Sequence, residues 1–218
     1  MPNKLLPPSG PGRPKDLVKR QAILQAAKTL FLRHGYDGSS MDAIAAEAGV
    51  SKLTVYSHFT DKETLFSAAV KAKCEEQLPE LFFELAPGVP IETVLLNIGR
   101  GFHTLINSRE SVEMHRVMVA LASQDPKLSQ MFYEAGPQRL LSEMEGLLSK
   151  ADQAGQLRIA DVHSAADQFF CLIKGGANFR LLIGCAGPQQ GETAERHVQD
   201  AVEMFMRAYR PTQDDNRM

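Results

Sequence analysis

The stretch 39–65, SSMDAIAAEAGVSKLTVYSHFTDKETL, constrains the fold more than any other part of the chain. Its first helix is predicted from apolar residues at i, i+3, i+4 and i+7, which are Met41, Ile44, Ala45 and Ala48. Ser40 stands at the N-cap position, and Gly49 can adopt the left-handed conformation that ends a helix. The pattern therefore predicts one short amphipathic helix with a defined start and a defined end.

A second short helix is predicted directly after the glycine, from Lys52 to His58, with Ser51 as its cap. Thr60 followed three residues later by Glu63 predicts a capping box that opens a third helix. Two short helices joined by a turn of three or four residues containing Gly are typical of a helix–turn–helix. In that motif the second helix enters the major groove of DNA.

The flanking segments complete a small helical domain. A helix is predicted over about 15–34, with a core-facing stripe formed by Ile23, Ala26, Ala27, Leu30 and Phe31. The helix opened by the capping box, the fourth in the chain, is predicted to start at Asp61, to continue past the domain and to kink or end at Pro79. We place a disordered arm at 1–14, the helix–turn–helix domain at 15–73 and a second domain at 74–218.

Charge is distributed unevenly between these predicted domains. Residues 1–73 contain 11 Lys and Arg against 6 Asp and Glu, whereas the remainder contains 13 against 20. A basic N-terminal domain on an acidic body favours DNA binding by the first domain and another role for the second. A chance fluctuation of surface charge is the alternative explanation.

Beyond Pro90 the chain alternates helical stretches with breakers. Helices are predicted over about 91–107, 111–123, from Asp125-Pro126, 138–154, Ser164 to Ile183 and 192–209. Ser164 is the expected cap of the long apolar helix. No convincing strand pattern is found, so the predicted fold class is all-α: a three-helix helix–turn–helix domain joined by a long helix to a helical ligand-binding and dimerisation domain.

The residues of the motif also resemble a known family, the TetR-type transcriptional regulators. The resemblance rests on Phe31, Gly35-Tyr36, Ser39-Ser40, Ile44-Ala45, Ala48-Gly49-Val50-Ser51, Val55-Tyr56, His58-Phe59, Lys62-Glu63 and Leu65. It covers about Arg20 to Val70, close to a quarter of the chain. Ser39-Ser40 replaces a usual Thr-Thr, and Leu53 replaces a common Gly or Ala; the K-x-T-V-Y form of the second helix looks like one branch of the family.

The residues expected at DNA fall into two groups. Ser40, Tyr56, His58 and Lys62 are expected at phosphates, and Lys52, Thr54 and Ser57 at base edges, beside the cap Ser51. Tyr56 and His58 match family positions with that role, while Lys62 is alternatively a solvated lysine. Leu53 either meets a thymine methyl group or packs inside the domain. Arg13 either enters an A·T-rich minor groove, as arms of some family members do, or belongs to a plain tail.

The second domain is expected to hold a small-molecule pocket, by resemblance and by size. The candidate lining residues are Phe102, His103, Met114, His115, Met118, Phe132, Phe170 and Lys174. Plain core packing is the alternative for each of them. The last two helices are expected to form a homodimer, as the resemblance also implies, through Gly175, Gly176, Phe179, Val198, Val202, Phe205 and Tyr209. The alternative is that both helices cover a monomer core.

These observations predict a cytoplasmic, dimeric, ligand-responsive regulator that binds palindromic double-stranded operator DNA, in the first instance a repressor released by a small apolar effector. No cofactor, metal site, membrane span or secretory signal is expected, and the sequence lacks the motifs of phosphate loops, α/β-hydrolases and zinc proteases. One rival is control by a protein partner without a small ligand. Another is oxidation of Cys171 and Cys185, expected to be unfavourable because the cysteines should be buried.

Overall fold

The computed structural model describes residues 14–78 and 80–211, and this part of the chain contains helices and no β-strand. The helices are α1 (Pro14–His34), α2 (Met41–Glu47), α3 (Lys52–His58), α4 (Lys62–Gln77), a 3₁₀ helix (Glu80–Phe83), α5 (Ile91–Asn107), α6 (Arg109–Leu121), α7 (Pro126–Ala135), α8 (Pro137–Gln153), α9 (Val162–Leu182) and α10 (Gly191–Tyr209). The all-α prediction is confirmed. Arg13 and Pro79 lie outside the described residues.

Internal contacts divide the chain into two compact units, Met1–Ala69 and Val70–Met218. Their described parts, 14–69 and 70–211, are called the N-terminal unit and the C-terminal unit below. The division falls within α4, a few residues before the boundary predicted near Lys73, so a continuous helix links the two units.

The core of the N-terminal unit is built on α1. The predicted stripe is buried as expected, with Ile23, Ala26, Ala27, Leu30 and Phe31 all at most 7% exposed. The ring of Phe31 packs edge-on against Phe66 of α4, with centroids 5.3 Å apart, and Tyr36 contacts both rings. This aromatic cluster anchors the base of α4 to α1, the helices on either side of the two short ones.

Two predicted caps are wrong, and in both cases an aspartate takes the place of a hydroxyl residue. The cap of α4 is Asp61 rather than Thr60, because its Oδ1 accepts from the Thr64 amide at 2.7 Å. The cap of α9 is Asp161, whose side chain accepts from the amide and the hydroxyl of Ser164. A carboxylate is favoured at the positive end of a helix, which gives aspartate an advantage over a neutral hydroxyl.

The C-terminal unit is centred on α5, α9 and α10. They meet at Gly99 of α5, where an added Cβ would lie 2.8 Å from Val198 Cγ1 and 3.1 Å from Ile173 Cδ1. Nearby, Phe169 of α9 and Phe205 of α10 are fully buried and pack edge-on with centroids 5.3 Å apart. The apolar stripe of α10 therefore faces the interior of its own protomer.

Helix α9 is kinked rather than continuous. Gly175 has φ +54° and ψ −179°, a conformation that a residue with a side chain adopts only under strain. Beside this kink, Nε2 of His197 donates to the carbonyl of Ile173 at 2.8 Å. The imidazole of His197 also fills the space over Gly175, where a Cβ would come within 2.8 Å of its Cε1. The kink is thus held by α10 of the same chain.

Candidate functional site

The turn between α2 and α3 is fixed by Gly49, which has φ +65°. The amide of Gly49 donates to Ala46 O, and the amide of Val50 donates to Ala45 O at 3.0 Å. This paired arrangement satisfies the last carbonyls of α2 and stops the helix. The predicted start is also present, since the Ser40 side chain accepts from the Ala43 amide at 3.1 Å.

Helix α3 begins at a second serine cap. Ser51 Oγ accepts from the Thr54 amide at 3.1 Å, and the two hydroxyl oxygens are 2.8 Å apart. One turn later, Ser57 Oγ donates to Thr54 O at 2.7 Å. These three polar side chains, all predicted at DNA, therefore already hydrogen-bond within α3 in the free protein.

The two sides of α3 differ sharply in burial. Val55 and Phe59 point into the core and are 0% and 2% exposed, which fixes the rotation of the helix. Leu53 is 80% exposed and Tyr56 is 43% exposed. The alternative in which Leu53 packs inside the unit is therefore wrong, and the outward face carries a large aliphatic and an aromatic side chain.

The first residue of α3 is bound to α2 by an ion pair. Lys52 Nζ lies 2.8 Å from Asp42 Oδ1 and 3.0 Å from Asp42 Oδ2. The hydrogen bond and the charge of Asp42 raise the pKa of Lys52, so the ammonium form is favoured. Sequence reasoning missed Asp42, since nothing in the pattern links two residues that are ten positions apart on different helices.

The other predicted phosphate contacts lie at the ends of α3 and α4. Lys62 Nζ donates to Tyr36 O at 2.9 Å and sits 4.2 Å from the centre of the Tyr36 ring, so it is restrained rather than freely solvated. His58 is half-buried at the end of α3, beside Phe59. Arg20 of α1, also missed by sequence reasoning, lies 5.0 Å from the Phe59 ring centre.

Four of the predicted pocket residues form two pairs of ring contacts. Phe102 of α5 and Phe170 of α9 are buried in the core with ring centroids 4.5 Å apart. His115 of α6 meets Phe132 of α7 edge-on at 5.4 Å. The remaining members are His103 and Met118, which are buried, Met114, which is half-buried, and Lys174, which is exposed.

Two of these residues are histidines whose environments disfavour the charged form. Burial lowers the pKa of His103, and the nearby His197 lowers it further. Burial also lowers the pKa of His115, although its hydrogen bond to Ser111 O acts in the opposite direction. Nδ1 of His115 donates to that carbonyl at 2.7 Å, which leaves Nε2 as the acceptor in the neutral ring.

A cleft that sequence reasoning missed lies between α4, the 3₁₀ helix and α8. Its lining combines apolar and charged side chains: Cys74, Glu75, Leu78, Phe83, Gly136, Arg139, Leu140 and Glu143. Arg139 pairs with Glu75 at 2.7 Å across this surface. No local sequence signal marks the cleft, because its walls come from three separate helices.

The predicted dimer residues divide by burial. Val198, Val202 and Phe205 are at most 2% exposed within one protomer, so the prediction that they contact a partner is wrong: their stripe packs on α5 and α9. Gly175 is similarly covered by His197. Tyr209 is half-buried and donates to Gln168 Oε1 at 2.7 Å.

The outer surface of α9 and α10 instead carries exposed apolar side chains. Phe179 and Ile183 are 62% and 56% exposed on α9 and just after it, and Met204 is 58% exposed on α10. Gly176 is exposed on the same helix, with only the Arg180 side chain near the place of a Cβ. Of the residues predicted at the interface, Phe179 and Gly176 are thus the ones that a partner can reach.

The cysteines also differ from expectation. Burial raises the pKa of the half-buried Cys74 thiol to about 11, which keeps it protonated and unreactive near neutral pH. Cys171 and Cys185 are exposed, so the prediction that they are buried is wrong. Within residues 14–78 and 80–211, no group of three or more His, Cys, Asp or Glu side chains is placed to hold a metal ion, and no helix has the length and apolarity of a membrane span.

Comparison with known proteins agrees with this architecture. Residues 23–69 match the family model for bacterial regulatory proteins of the tetR family, and residues 93–211 match the model for the C-terminal domain of AefR-like transcriptional repressors. An HTH-type transcriptional regulator of Bacillus subtilis, YdeS, is 30% identical over 193 residues, which cover 88% of this chain and 89% of YdeS.

Two solved structures are similar along most of the chain. A TetR-family transcriptional regulator from Mesorhizobium loti is 30% identical, with a TM-score of 0.71 over 91% of this chain and 100% of that protein. The flavonoid-responsive regulator FrrA is 31% identical, with a TM-score of 0.68 over 88% of this chain and 97% of FrrA. These relatives are transcriptional regulators rather than enzymes.

Proposed function

The chain belongs to the TetR family of transcriptional regulators, and from that premise we propose that it is a dimeric repressor that a small, largely apolar effector releases from a palindromic operator. Members of this family bind operator DNA, act as dimers and typically respond to small molecules. We place the protein in the branch whose recognition helix begins K-x-T-V-Y, here Lys52 to Tyr56, and we place its action in the cytoplasm, where DNA is accessible.

The observation that carries the DNA-binding proposal is the outward face of α3. Its core-facing residues Val55 and Phe59 fix the rotation of the helix, which leaves Lys52, Leu53 and Tyr56 on the surface. A lysine suits guanine O6 and N7, an apolar side chain suits the thymine methyl group, and a phenol suits a phosphate oxygen. Ser40, Thr54, Ser57, His58 and Lys62 complete the proposed contact surface, and Ser51 supports it as the cap.

We place the effector in the C-terminal unit, among Phe102, His103, Met114, His115, Met118, Phe132, Phe170 and Lys174. Aromatic rings and methionines suit an apolar molecule, and a neutral histidine can accept a hydrogen bond from it. The relative FrrA is described as flavonoid-responsive, which supports a small organic effector for this chain.

The proposed release is a population shift of the dimer. A dimer that binds DNA holds its two recognition helices one helical turn of DNA apart, about 34–36 Å. An effector that binds better to another arrangement moves the equilibrium away from the DNA-binding form. A coupling free energy of about 1–3 kcal/mol is typical of such linkage and corresponds to a loss of roughly 5- to 150-fold in DNA affinity.

The exposure of two thiols favours a second candidate, regulation by oxidation. Cys171 and Cys185 are open to solvent, unlike Cys74. If oxidation regulates the protein, a mild peroxide treatment should lower operator affinity in the wild type and leave a Cys171→Ser/Cys185→Ser variant unchanged. Equal operator affinity before and after treatment of the wild type would remove this candidate.

The test of the main proposal is binding of the purified dimer to the DNA just upstream of its own gene, titrated with salt. We expect tight binding that weakens steeply with salt, because phosphate contacts release counterions. Tyr56→Phe and Lys52→Ala should weaken it, whereas Lys150→Ala, the same charge change as Lys52→Ala but on α8, should not. Equal affinities for all four proteins would contradict the assignment of α3 as the recognition helix.

A further inference from the structure

The ion pair between α2 and α3 is the feature of the N-terminal unit that the proposed function leaves unexplained. Asp42 stands in the first turn of α2, and Lys52 is the first residue of α3. Their charged atoms are 2.8 Å apart although both side chains are largely exposed, at 64% and 59%. The pair therefore forms at the surface, where a lysine could equally extend into solvent.

A carboxylate at this position is unfavourable for DNA binding by itself. Asp42 follows Ser40 by two residues at the start of the same short helix, and Ser40 is assigned to a phosphate. Negative charge beside a phosphate is repulsive, and exposed charges within about 8 Å of each other remain incompletely screened at physiological salt. An aspartate at this position therefore lowers the affinity of the unit for every DNA sequence. Its ion pair with Lys52 suggests what the position gains in return.

We propose that Asp42 is a specificity-determining residue: its ion pair positions the ammonium group of Lys52 for one base edge and prevents it from binding phosphates. The proposal rests on the proposed function, because it assumes that α3 reads bases. An ammonium group has three N–H donors, so Lys52 can bond to Asp42 and keep a donor for guanine O6 or N7. Phosphates surround the whole duplex, and a lysine without this partner can reach them on any sequence.

The two uses of Lys52 have different consequences for binding. A lysine on a phosphate adds affinity for all sequences and adds about 0.9 to the slope of log affinity against log salt. A lysine on a base edge adds affinity only for sequences that present the right acceptor. By keeping Lys52 in the second use, Asp42 lowers non-specific affinity and raises the ratio of specific to non-specific affinity.

The size of the effect follows from the strength of exposed ion pairs. Such pairs contribute modestly, so Asp42→Asn should raise affinity for non-specific duplex by about two- to five-fold. The salt dependence on non-specific duplex should become steeper by roughly one, the slope of one added phosphate contact. Preference for guanine at the base pair that Lys52 faces should fall at the same time.

The matched control is Glu47→Gln, which removes the same charge from the other end of α2. General repulsion of DNA by acidic residues predicts that both substitutions raise affinity for every sequence and leave base preference unchanged, whereas our proposal predicts that only Asp42→Asn lowers the base preference and adds a phosphate contact to the salt slope. Both should be measured by fluorescence anisotropy on a selected operator and on a scrambled duplex. Thermal unfolding of each variant checks that the unit remains folded.

A double-mutant cycle with Lys52→Met makes the test specific to the pair. In the Lys52→Met background, Asp42→Asn can act only by relieving charge repulsion, because there is no ammonium left to release, so its effect on the salt slope and on base preference should be much smaller than in the otherwise wild-type protein. Equal effects of Asp42→Asn and Glu47→Gln in the otherwise wild-type protein would overturn the proposal. An undiminished effect of Asp42→Asn in the Lys52→Met background would overturn it as well.

The proposed function and this inference fail in different ways. A wild-type protein that binds no DNA sequence preferentially would remove the proposed function, and with it the premise. If the wild type binds its operator and Lys52→Met weakens that binding, but Asp42→Asn leaves the sequence specificity unchanged, only the inference is removed.

Discussion

The N-terminal unit carries its candidate functional side chains on the surface, whereas the C-terminal unit buries many of its own. Leu53 and Tyr56 stand out from α3, and their neighbours Val55 and Phe59 are in the core. In the C-terminal unit, Phe102 and Phe170 are themselves part of the core. A surface motif can be assigned from sequence because the functional residues and the core residues lie on opposite faces of one short helix. The residues that line a pocket inside a helical bundle cannot be distinguished from core residues in that way.

The strongest way to sharpen this contrast is to compare two neighbouring residues of α10. Phe205→Ala should destabilise the protein by about 3–5 kcal/mol, because it empties a fully buried site against Phe169. Met204→Ala, at a side chain that is 58% exposed, should change protomer stability by about 0.5 kcal/mol or less and should weaken the dimer instead. Denaturant unfolding and sedimentation measure the two quantities. Similar stabilities for the two variants would contradict the placement of Phe205 in the core.

A smaller effect is expected at the kink of α9. Gly175→Ala should cost about 1–3 kcal/mol, since the residue has φ +54° and its Cβ would meet His197 at 2.8 Å. Gly146→Ala is the matched control on α8, where an added Cβ meets nothing within 4 Å and should stabilise the helix by about 0.5–1 kcal/mol. Changes of opposite sign in the unfolding free energy are the expected result. A stabilising Gly175→Ala would mean that α9 is straight at this point.

In the N-terminal unit, a loss of stability is expected when the N-cap of α3 is removed. Ser51→Ala removes the acceptor of the Thr54 amide and should cost about 0.5–2 kcal/mol. Ser51→Asp retains an acceptor and should recover most of that stability. Thermal unfolding measures both variants, and indistinguishable melting temperatures for wild type and Ser51→Ala would show that α3 does not depend on this cap.

The smallest expected effect is a pH dependence within the C-terminal unit. The pKa of His103 is lowered by burial and by His197, so the unfolded state binds the proton more readily. His103 should therefore reduce stability as pH falls below about 6.5, the ordinary pKa of histidine, and have no effect above it.

The exposed His163 provides the opposite sign, because Glu145 raises its pKa. Its contribution is present below the ordinary histidine pKa and is lost as pH rises through its folded value. His103→Gln should flatten the loss of stability on acidification, and His163→Asn should make that loss larger. Melting temperatures measured across this range check both, and a steeper acid loss in His103→Gln would contradict the sign for His103.

Much of the fold was predictable because its signals are local. Ser40, Gly49 and Ser51 act on backbone groups within a few residues, so sequence alone located α2, the turn and α3. The apolar stripe of α10 was also predicted correctly. Periodicity does not indicate, however, whether such a stripe packs on its own protomer or on a partner, and Val202 is buried within its own protomer. The Asp42–Lys52 pair depends on how two helices cross, which no spacing rule encodes.

The measurement that tests the central claim most directly is selection of binding sequences from a pool of random duplexes by the purified full-length protein. Two copies of α3 in one dimer predict enrichment of a palindrome whose half-site centres lie about one helical turn, roughly 10 base pairs, or a multiple of it apart. Leu53→Ala should alter the preferred bases within each half-site without changing their spacing. A site without two-fold symmetry, or a pool that remains random, would contradict the account.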